Sequence, residues 1–402
     1  MPTSLDLYAK SMDNVVLRDA NGNPSIFVRH PKQMSSDFDA SLPEHVHPAF
    51  IVNNTTDDAL LIAKYKSCEL ESNGTQYSLP YRAPKHTMNY DTFLTKMRAF
   101  GGNVTGMTIA DHGLMVLMAH KAGFVSHGNN NYGADYRSGT KYALNAAVVI
   151  GDKRIFRGWE YECIKGHTTS ATLLPTDAPA YWKKGKHVGG DMVENFVADN
   201  NYSGYHTLTG SGPVDWNMLN DPCLEADIQG DIAEQIYGFR LVNCELQILP
   251  DNNAANPAAD LSASSSAWKA ILPHANDTGC DLVAPGTVGT LHYTWQNSKI
   301  TLDNVAPGSF DGSTKNTAFK DLAVNSTNVP YVPDLVKELG LFPISGTTVD
   351  GMMYICLTAD ERVARRAGDC SAASGAGVAC LYCHCARSLS GVFVGARARS
   401  RA

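Results

Sequence analysis

GDCSAASGAGVACLYCHCARSLSGVFVGARARSRA, residues 368–402, is the stretch around which the rest of the chain is organised. It holds four of the ten cysteines and shows no hydrophobic period typical of one regular helix or strand along its length. Its alphabet is restricted, since Lys, Glu, Gln, Met and Trp are absent although together they are common upstream. The stretch therefore differs in composition from the chain that precedes it.

The missing residue types share a property of the genetic code. Codons that end in C, with any base at the first two positions, never encode those five types or a stop. Asparagine codons of the form AAC, randomised at their adenines, would draw from the same set. The composition is thus consistent with deliberate diversification of a surface, and equally with a Gly-, Ala- and Ser-rich terminus that lacks long polar side chains.

The overall composition is that of a globular protein. The chain has 402 residues, 44% hydrophobic and 18% charged, enough for a large core in one or two domains. The net charge of −7 argues against wholesale nucleic-acid binding, and the seven arginines from residue 362 onward are expected to be solvated or structural. No apolar run reaches the ~20 residues that span a bilayer, and no signal-peptide pattern is present. The cysteines are therefore expected to be thiols.

Local patterns predict an α+β fold with two good helices, short antiparallel strands and long irregular loops. The helices are expected over about 90–100 and 109–122, with a shorter one over 333–339. A hairpin is expected over 15–28, around the Asn-Gly turn, and another over 239–249. Strands are expected over 47–53, with 60–65 as its partner, and over 352–357.

Several segments resemble one protein family. They are HPAFIVN (47–53), GNNNY (128–132), LTGSGP (208–213), ADIQGDIAEQIYGFRL (226–241) and QILPDNNA (247–254). The most specific match is the tail, with its S-x-A-G, A-R-S and G-x-R elements. Together these are similar to the variable proteins of diversity-generating retroelements, of the viral or phage type. Those proteins have a C-type lectin fold within the formylglycine-generating-enzyme-like superfamily.

The resemblance implies a division of the chain. Residues 1–45 would be an N-terminal β-hairpin region. Residues 46–402 would be a C-type-lectin-like domain with insertions at about 140–205 and 255–345 and a variable region over 368–397. The framework of that region would be Gly368, Ser374, Ala376, Gly377, Leu381, Ala386, Arg387, Ser388, Gly395 and Arg397. The ligand-binding variable positions, with outward side chains, would be Asp369, Cys370, Ser371, Ala372, Gly375, Ala379, Cys380, Tyr382, Cys383, His384, Cys385, Leu389, Gly391, Phe393 and Ala396.

The function implied is ligand binding rather than catalysis. The diversified surface would bind a protein or glycan on a host cell, from the tail or attachment structure of a virion, or alternatively from a cell surface. Tyr382, His384 and Phe393 are the expected anchors, and truncation of Tyr382 is expected to abolish binding with little effect on stability. No cofactor, nucleic-acid partner or membrane insertion is expected, and the oligomeric state is open. Calcium near Asp227, Asp231 and Glu234 is the one metal considered, with a solvated or capping role favoured for these carboxylates.

An alternative function is a metalloprotein or a formylglycine-generating-like enzyme that uses Cys380, Cys383, His384 and Cys385. Cys380–His384 matches the C-x-x-C-H pattern of covalent haem attachment, and the cluster also offers zinc ligands. No second ligand cluster exists in the sequence. The reactive cysteines of the superfamily's oxidases would align near Ala372 and Gly377, where this chain has no thiol.

Overall fold

The computed structural model describes residues 2–70, 74–193 and 206–402. The architecture is α+β, with four helices and several sheets in this part of the chain. The helices are α1 (Ser4–Ser11), α2 (Tyr90–Arg98), α3 (Ile109–Ala122) and α4 (Asp334–Glu338). None of them is long and apolar enough to cross a membrane.

Short strands make up most of the regular structure. In chain order, the first half has β1 (Val15–Arg18), β2 (Pro24–Pro31), β3 (Ile51–Val52), β4 (Thr55–Thr56), β5 (Ala59–Ala63), β6 (Ser67–Glu69), β7 (Gln76–Ser78), β8 (Thr105–Gly106), β9 (Gly128–Asn129), β10 (Ala147–Val148), β11 (Lys153–Phe156), β12 (Trp159–Cys163), β13 (His167–Thr168) and β14 (Trp182–His187). The second half has β15 (Gln229–Gly230), β16 (Ala233–Val242), β17 (Glu245–Ile248), β18 (Lys269–Pro273), β19 (Cys280–Val283), β20 (His292–Gln296), β21 (Lys299–Asp303), β22 (Thr314–Ala318), β23 (Ala323–Val324), β24 (Met352–Cys356), β25 (Arg362–Ala367), β26 (Gly377–Cys385), β27 (Val394–Ala396) and β28 (Ala398–Arg401).

The two longer predicted helices and the shorter one over 333–339 are present as α2, α3 and α4. α3 begins with a reciprocal capping box between Thr108 and Asp111 and ends at Gly123, whose φ of 58° is left-handed. α1 was not predicted, although Thr3 and Asp6 form the same kind of capping box. It is short and buries little apolar surface, so its hydrophobic pattern carries almost no signal.

The largest sheet carries the tail. Its strands run in the order β22-β24-β26-β25-β16-β17-β20-β21-β23, with β18, β19 and β27 attached to its side. β26 lies inside this sheet, antiparallel to β25 and parallel to β24. The tail is thus not one regular element along its length, but it contains three separate strands, β26, β27 and β28. α3 packs on the sheet through a continuous apolar core.

A second sheet brings the two ends of the chain together. Its order is β1-β2-β5-β28-β8, so β28, almost at the C-terminus, pairs with β5 beside the N-terminal hairpin. The predicted hairpin of β1 and β2 is confirmed, with Val15 opposite Phe27. The predicted partnership of 47–53 with 60–65 is wrong, because β3 pairs with β4 while β5 pairs with β2 and β28.

The two expected insertions differ in structure. Residues 140–193 form two small sheets, β11-β12-β14 and β10-β13, around their own apolar core that includes Tyr142, Phe156 and Trp182. The remainder of this insertion, 194–205, lies outside the described residues. The second segment, 255–345, contributes β18 to β23 to the largest sheet. It is thus part of the main layer and not a separate unit.

A buried ion cluster joins the two sheets. Glu234 of β16 accepts hydrogen bonds from Lys66 (2.8 Å), Arg366 of β25 (2.7 Å) and Arg397 (2.9 Å), and all four side chains are fully buried. Arg397 also donates to the backbone carbonyls of Ala63, Lys64 and Ala226. Burial alone would raise the pKa of Glu234, but Arg397, Lys66 and Arg366 outweigh it and hold that pKa well below its ordinary value.

The tail arginines are mostly structural. Arg397 directly precedes β28, and Arg399 and Arg401 alternate along it; the three pair with Glu234, Asp111 and Asp57 respectively. Because strand side chains alternate between faces, the A-R-A-R-S-R pattern presents all three cations on one side. Pairing within the fold therefore accounts for the charge of these three arginines.

Replacing Glu234 by Gln should destabilise the protein by about 3–5 kcal/mol, because three buried cations would lose their shared carboxylate. Urea denaturation followed by circular dichroism measures the change. The matched control is Asp58→Asn, which removes only the exposed pair with Lys32 and should change stability little. A loss as small as that of the control would contradict a central role for the cluster.

Candidate ligand-binding site

The alternation of β26 separates its side chains into two sets. Ala379, Leu381 and Cys383 pack into the main core below the sheet. Cys380 and Tyr382 lie on the opposite face, where they cluster with Ala233 and Tyr354. One strand therefore supplies both the core and the floor of a surface pocket.

That pocket has a volume of about 520 Å³ and is lined by the sheet and by the loop that follows β26. Six predicted variable positions line it: Asp369, Tyr382, His384, Leu389, Gly391 and Phe393. Five lining residues were not predicted: Thr314, Tyr354, Arg365, Ser390 and Val394. The structure thus brings together side chains from β22, β24, β25, β26 and the tail loop.

The remaining predicted variable positions lie elsewhere. Ser371 is exposed and Ala372 is half-buried, both outside the pocket lining. The expectation of outward side chains was wrong for the buried positions Cys370, Ala379, Cys380, Cys383, Cys385 and Ala396, and Gly375 is buried as well. Most of these residues belong to β26 and β27, strands of the largest sheet, which the composition of the tail did not indicate.

Aromatic rings dominate the floor of the pocket. The Tyr354 and Tyr382 rings meet edge to face at 5.0 Å, and His384 lies 5.5 Å from Tyr382 and 5.6 Å from Tyr354. Burial, reinforced by Arg365 and Arg362, lowers the pKa of His384 to about 4. His384 is therefore neutral at physiological pH. Burial also raises the pKa of Tyr382 well above its ordinary value, so its hydroxyl stays protonated.

Two pocket residues that the sequence analysis missed, Tyr354 and Arg365, lie on the strands next to β26. The sequence predicts a core strand over 352–357, and register places Tyr354 beside Tyr382 in parallel β24 and β26. Arg365 lies directly across from Tyr382 in antiparallel β25. Three neighbouring strands thus place Tyr354, Tyr382 and Arg365 abreast on one face. Only the strand order, which the sequence does not reveal, brings them together.

Arg387 holds the loop that covers one side of the pocket. Its guanidinium donates to both carboxylate oxygens of Glu361 at 2.8 Å and to Asp91 at 2.8 Å. It also stacks over Tyr90, with 4.6 Å to the ring centroid. The backbone carbonyl of Gly391 accepts a hydrogen bond from Thr87. The loop is thereby fixed to the start of α2, while Leu389 on it remains 41% exposed.

The expected framework positions differ in burial. Gly368, Ala376, Gly377, Leu381, Gly395 and Arg397 are buried, Arg387 is half-buried, and Ser374, Ala386 and Ser388 are exposed. A Cβ at Gly395 would lie 2.0 Å from Ile232, and one at Gly377 would lie 2.3 Å from the Asp350 backbone. A side chain at position 377 would overlap backbone, and one at position 395 would force Ile232 to move, which fits a fixed framework.

The cysteine-histidine cluster does not form one ligand set. Cys380 and Cys383 are three residues apart on a strand and face opposite sides of the sheet. Burial raises the pKa of Cys380 to about 12 and that of Cys383 well above its ordinary value, so both remain protonated. The geometry thus fits neither the haem nor the zinc alternative, and it supplies no reactive thiolate at these two positions.

The three carboxylates considered for calcium, for which a solvated or capping role was favoured, are all buried and not solvated. Glu234 is engaged by three cationic side chains and is not available as a ligand. Asp227 and Asp231 lie close to those cations and help to balance their charge. Burial, followed by Asp231, raises the pKa of Asp227 to about 6. Across the described ranges, no three His, Cys, Asp or Glu side chains are grouped to hold a metal.

Comparison with known proteins adds no family assignment. The chain matches no protein-family model and no curated protein. Function is therefore inferred from the pocket and from the residues of the tail.

Tyr382→Ala should lower the free energy of unfolding by about 3 kcal/mol, because the ring is 7% exposed and packs against Tyr354. This replaces the expectation from the sequence that stability would hardly change. Leu389→Ala is the matched control on the exposed loop and should stay within about 0.5 kcal/mol of the parent. Equal melting curves for both variants would show that Tyr382 does not support the pocket floor.

Proposed function

We propose that the protein is a ligand-binding protein with a C-type lectin fold, whose C-terminal surface is diversified by adenine-directed mutagenesis. Its ligand would be a protein or glycan on a host cell, and its place a virion tail or attachment structure, with a cell surface as the alternative. The observation that carries the proposal is the pocket, since six positions expected to vary line a single concave site.

The topology supports the fold assignment. A C-type lectin fold is expected to bring its chain termini together and to display late loops on one face. Here β28 pairs with β5 next to the N-terminal hairpin, and α2 and α3 flank the paired sheets. The loop after β26 is held by Arg387 at the edge of the pocket.

The division of the tail supports diversification. Lining positions such as His384, Leu389 and Phe393 are half-buried or exposed, so their side chains can change with little disturbance of the core. Gly395 and Arg397, by contrast, admit no alternative without steric overlap or loss of the ion cluster. Variation would therefore alter the recognition surface and leave the framework in place.

The chemistry favours binding over catalysis. His384 is neutral at physiological pH, and the Cys380 thiol beneath Tyr382 is protonated. A pocket of about 520 Å³ accepts a group no larger than a small ligand or one protruding side chain. A site of this size gives modest affinity alone, and multivalent display would raise the overall avidity.

The first test is genetic. The DNA next to the coding sequence should contain a near-copy of the segment that encodes residues 368–397, differing at adenines and lying beside a reverse transcriptase gene. Sequencing of the source locus decides this. A locus with neither element would contradict diversification, although it would leave ligand binding open.

The second test addresses binding itself. A variant with His384→Ala, Leu389→Ala and Phe393→Ala should bind at least about tenfold more weakly, because the aromatic and apolar anchors of the pocket are removed. Fluorescently labelled protein is titrated onto the cell type that binds it most strongly in a panel of candidate hosts.

The matched control changes three exposed residues away from the tail: Val149→Ala, Ile150→Ala and Val288→Ala, which are 66%, 72% and 94% exposed. It should bind as the parent does. Equal loss in both variants, or full binding by the pocket variant with an intact fold, would contradict a binding role for this site.

A further inference from the structure

One arginine of the C-terminal segment differs from all the others. Six of the seven arginines from residue 362 onward form ion pairs: Arg362, Arg366, Arg387, Arg397, Arg399 and Arg401. Arg365 forms none with any carboxylate among the described residues, although it is only 6% exposed. It is also a lining residue of the pocket.

The surroundings of Arg365 leave its charge uncompensated. Its Nη2 donates to the sulfur of Cys385, which is a weak acceptor. Its Nε is buried and has no hydrogen-bond partner in the described parts of the chain. The guanidinium lies 5.7 Å from the centre of the Tyr382 ring. Burial of this cation costs free energy because its hydration is lost. Its guanidinium also keeps N–H groups that can donate hydrogen bonds to an anion.

The other charged groups near the pocket do not supply the missing partner. Asp369 lines the pocket, but its carboxylate accepts hydrogen bonds from the backbone and hydroxyl of Ser371 and makes no ion pair with Arg365. His384 is neutral at physiological pH, so it neither repels nor attracts an anion strongly. Arg362 is paired with Asp360 and does not line the pocket.

We propose that Arg365 binds a carboxylate of the ligand, and that this ligand is a carboxylated sugar. The inference rests on the proposed binding function and names the chemistry of its ligand. A guanidinium presents parallel N–H donors that match the two oxygens of a carboxylate. The aromatic rings of Tyr354, Tyr382 and Phe393 provide flat apolar surface for a sugar ring, and Thr314 and Ser390 add hydroxyls at the rim.

Arg365 lies before residue 368 and so outside the stretch expected to vary. Its side chain would remain constant while His384, Leu389 and Phe393 change around it. The anionic contact would therefore be common to all variants, and the variable residues would select among carboxylated sugars. Diversification of this kind changes specificity within one ligand class.

The test compares two sugars that differ only at one carbon. Methyl β-glucuronide carries a carboxylate where methyl β-glucoside carries a hydroxymethyl group. Each is titrated into the full-length protein by calorimetry and by NMR of the His384 ring, which reports on the pocket itself. The proteins compared are the parent, Arg365→Gln, Arg365→Lys and the control Arg362→Gln.

The parent and Arg362→Gln should bind the glucuronide in preference to the glucoside. Arg365→Gln should weaken glucuronide binding by about tenfold to a hundredfold, with Arg365→Lys in between, because charge is retained but the paired donors are lost. Removal of an unpaired buried charge should leave the fold intact, which a melting curve verifies.

Equal affinity for the two sugars, equal binding by the parent and Arg365→Gln, or no glucuronide binding by the parent would overturn the inference. So would an acidic peptide that displaces the glucuronide at lower concentration than any carboxylated sugar. These outcomes are separate from those of the cell-binding test. The pocket variant can lose cell binding while Arg365 proves irrelevant, and that combination would keep the proposed function and reject the anionic ligand.

Discussion

The rest of the structure depends on one carboxylate that three buried cations share. Lys66, Arg366 and Arg397 come from distant parts of the chain, and each reaches Glu234 at 2.7–2.9 Å with no exposure to solvent. A buried charge of this kind tolerates no missing partner, so the cluster fixes β16, β25 and the last strand relative to one another. These ion pairs set the relative positions of the strands, and the apolar core packs around them.

This arrangement explains how β26 and the loop after it can contribute both to the core and to a surface pocket. β26 turns Leu381 and Cys383 into the core and Tyr382 and His384 toward the pocket. The loop that follows is anchored at Arg387. It rejoins the expected framework at Gly395, where the backbone contacts Ile232 directly. Between fixed points so closely spaced, a change of side chain has little freedom to move the backbone. The pocket can differ in chemistry while its shape is largely preserved.

Local features were predictable from the sequence, and long-range ones were not. α3 and the hairpin of β1 and β2 follow from caps, turns and periodicity that lie within a few residues. The pairing of β5 with β28 and the burial of Cys370 depend on partners far along the chain, and no local pattern encodes them. The candidate site was predicted in part for the same reason. Six lining positions follow from the tail, whereas Tyr354 and Arg365 required the strand order.

The position of β28 has a consequence for when the fold is completed. This strand is inserted between β5 and β8, which precede it by hundreds of residues, and it follows the stretch expected to vary. During synthesis the sheet therefore remains incomplete until the ribosome has passed residues 368–397. A chain stopped or shifted out of frame within that stretch would lack Arg397 and the strand, and it would expose an unpaired edge. Only a chain that includes β28 would be able to complete this sheet.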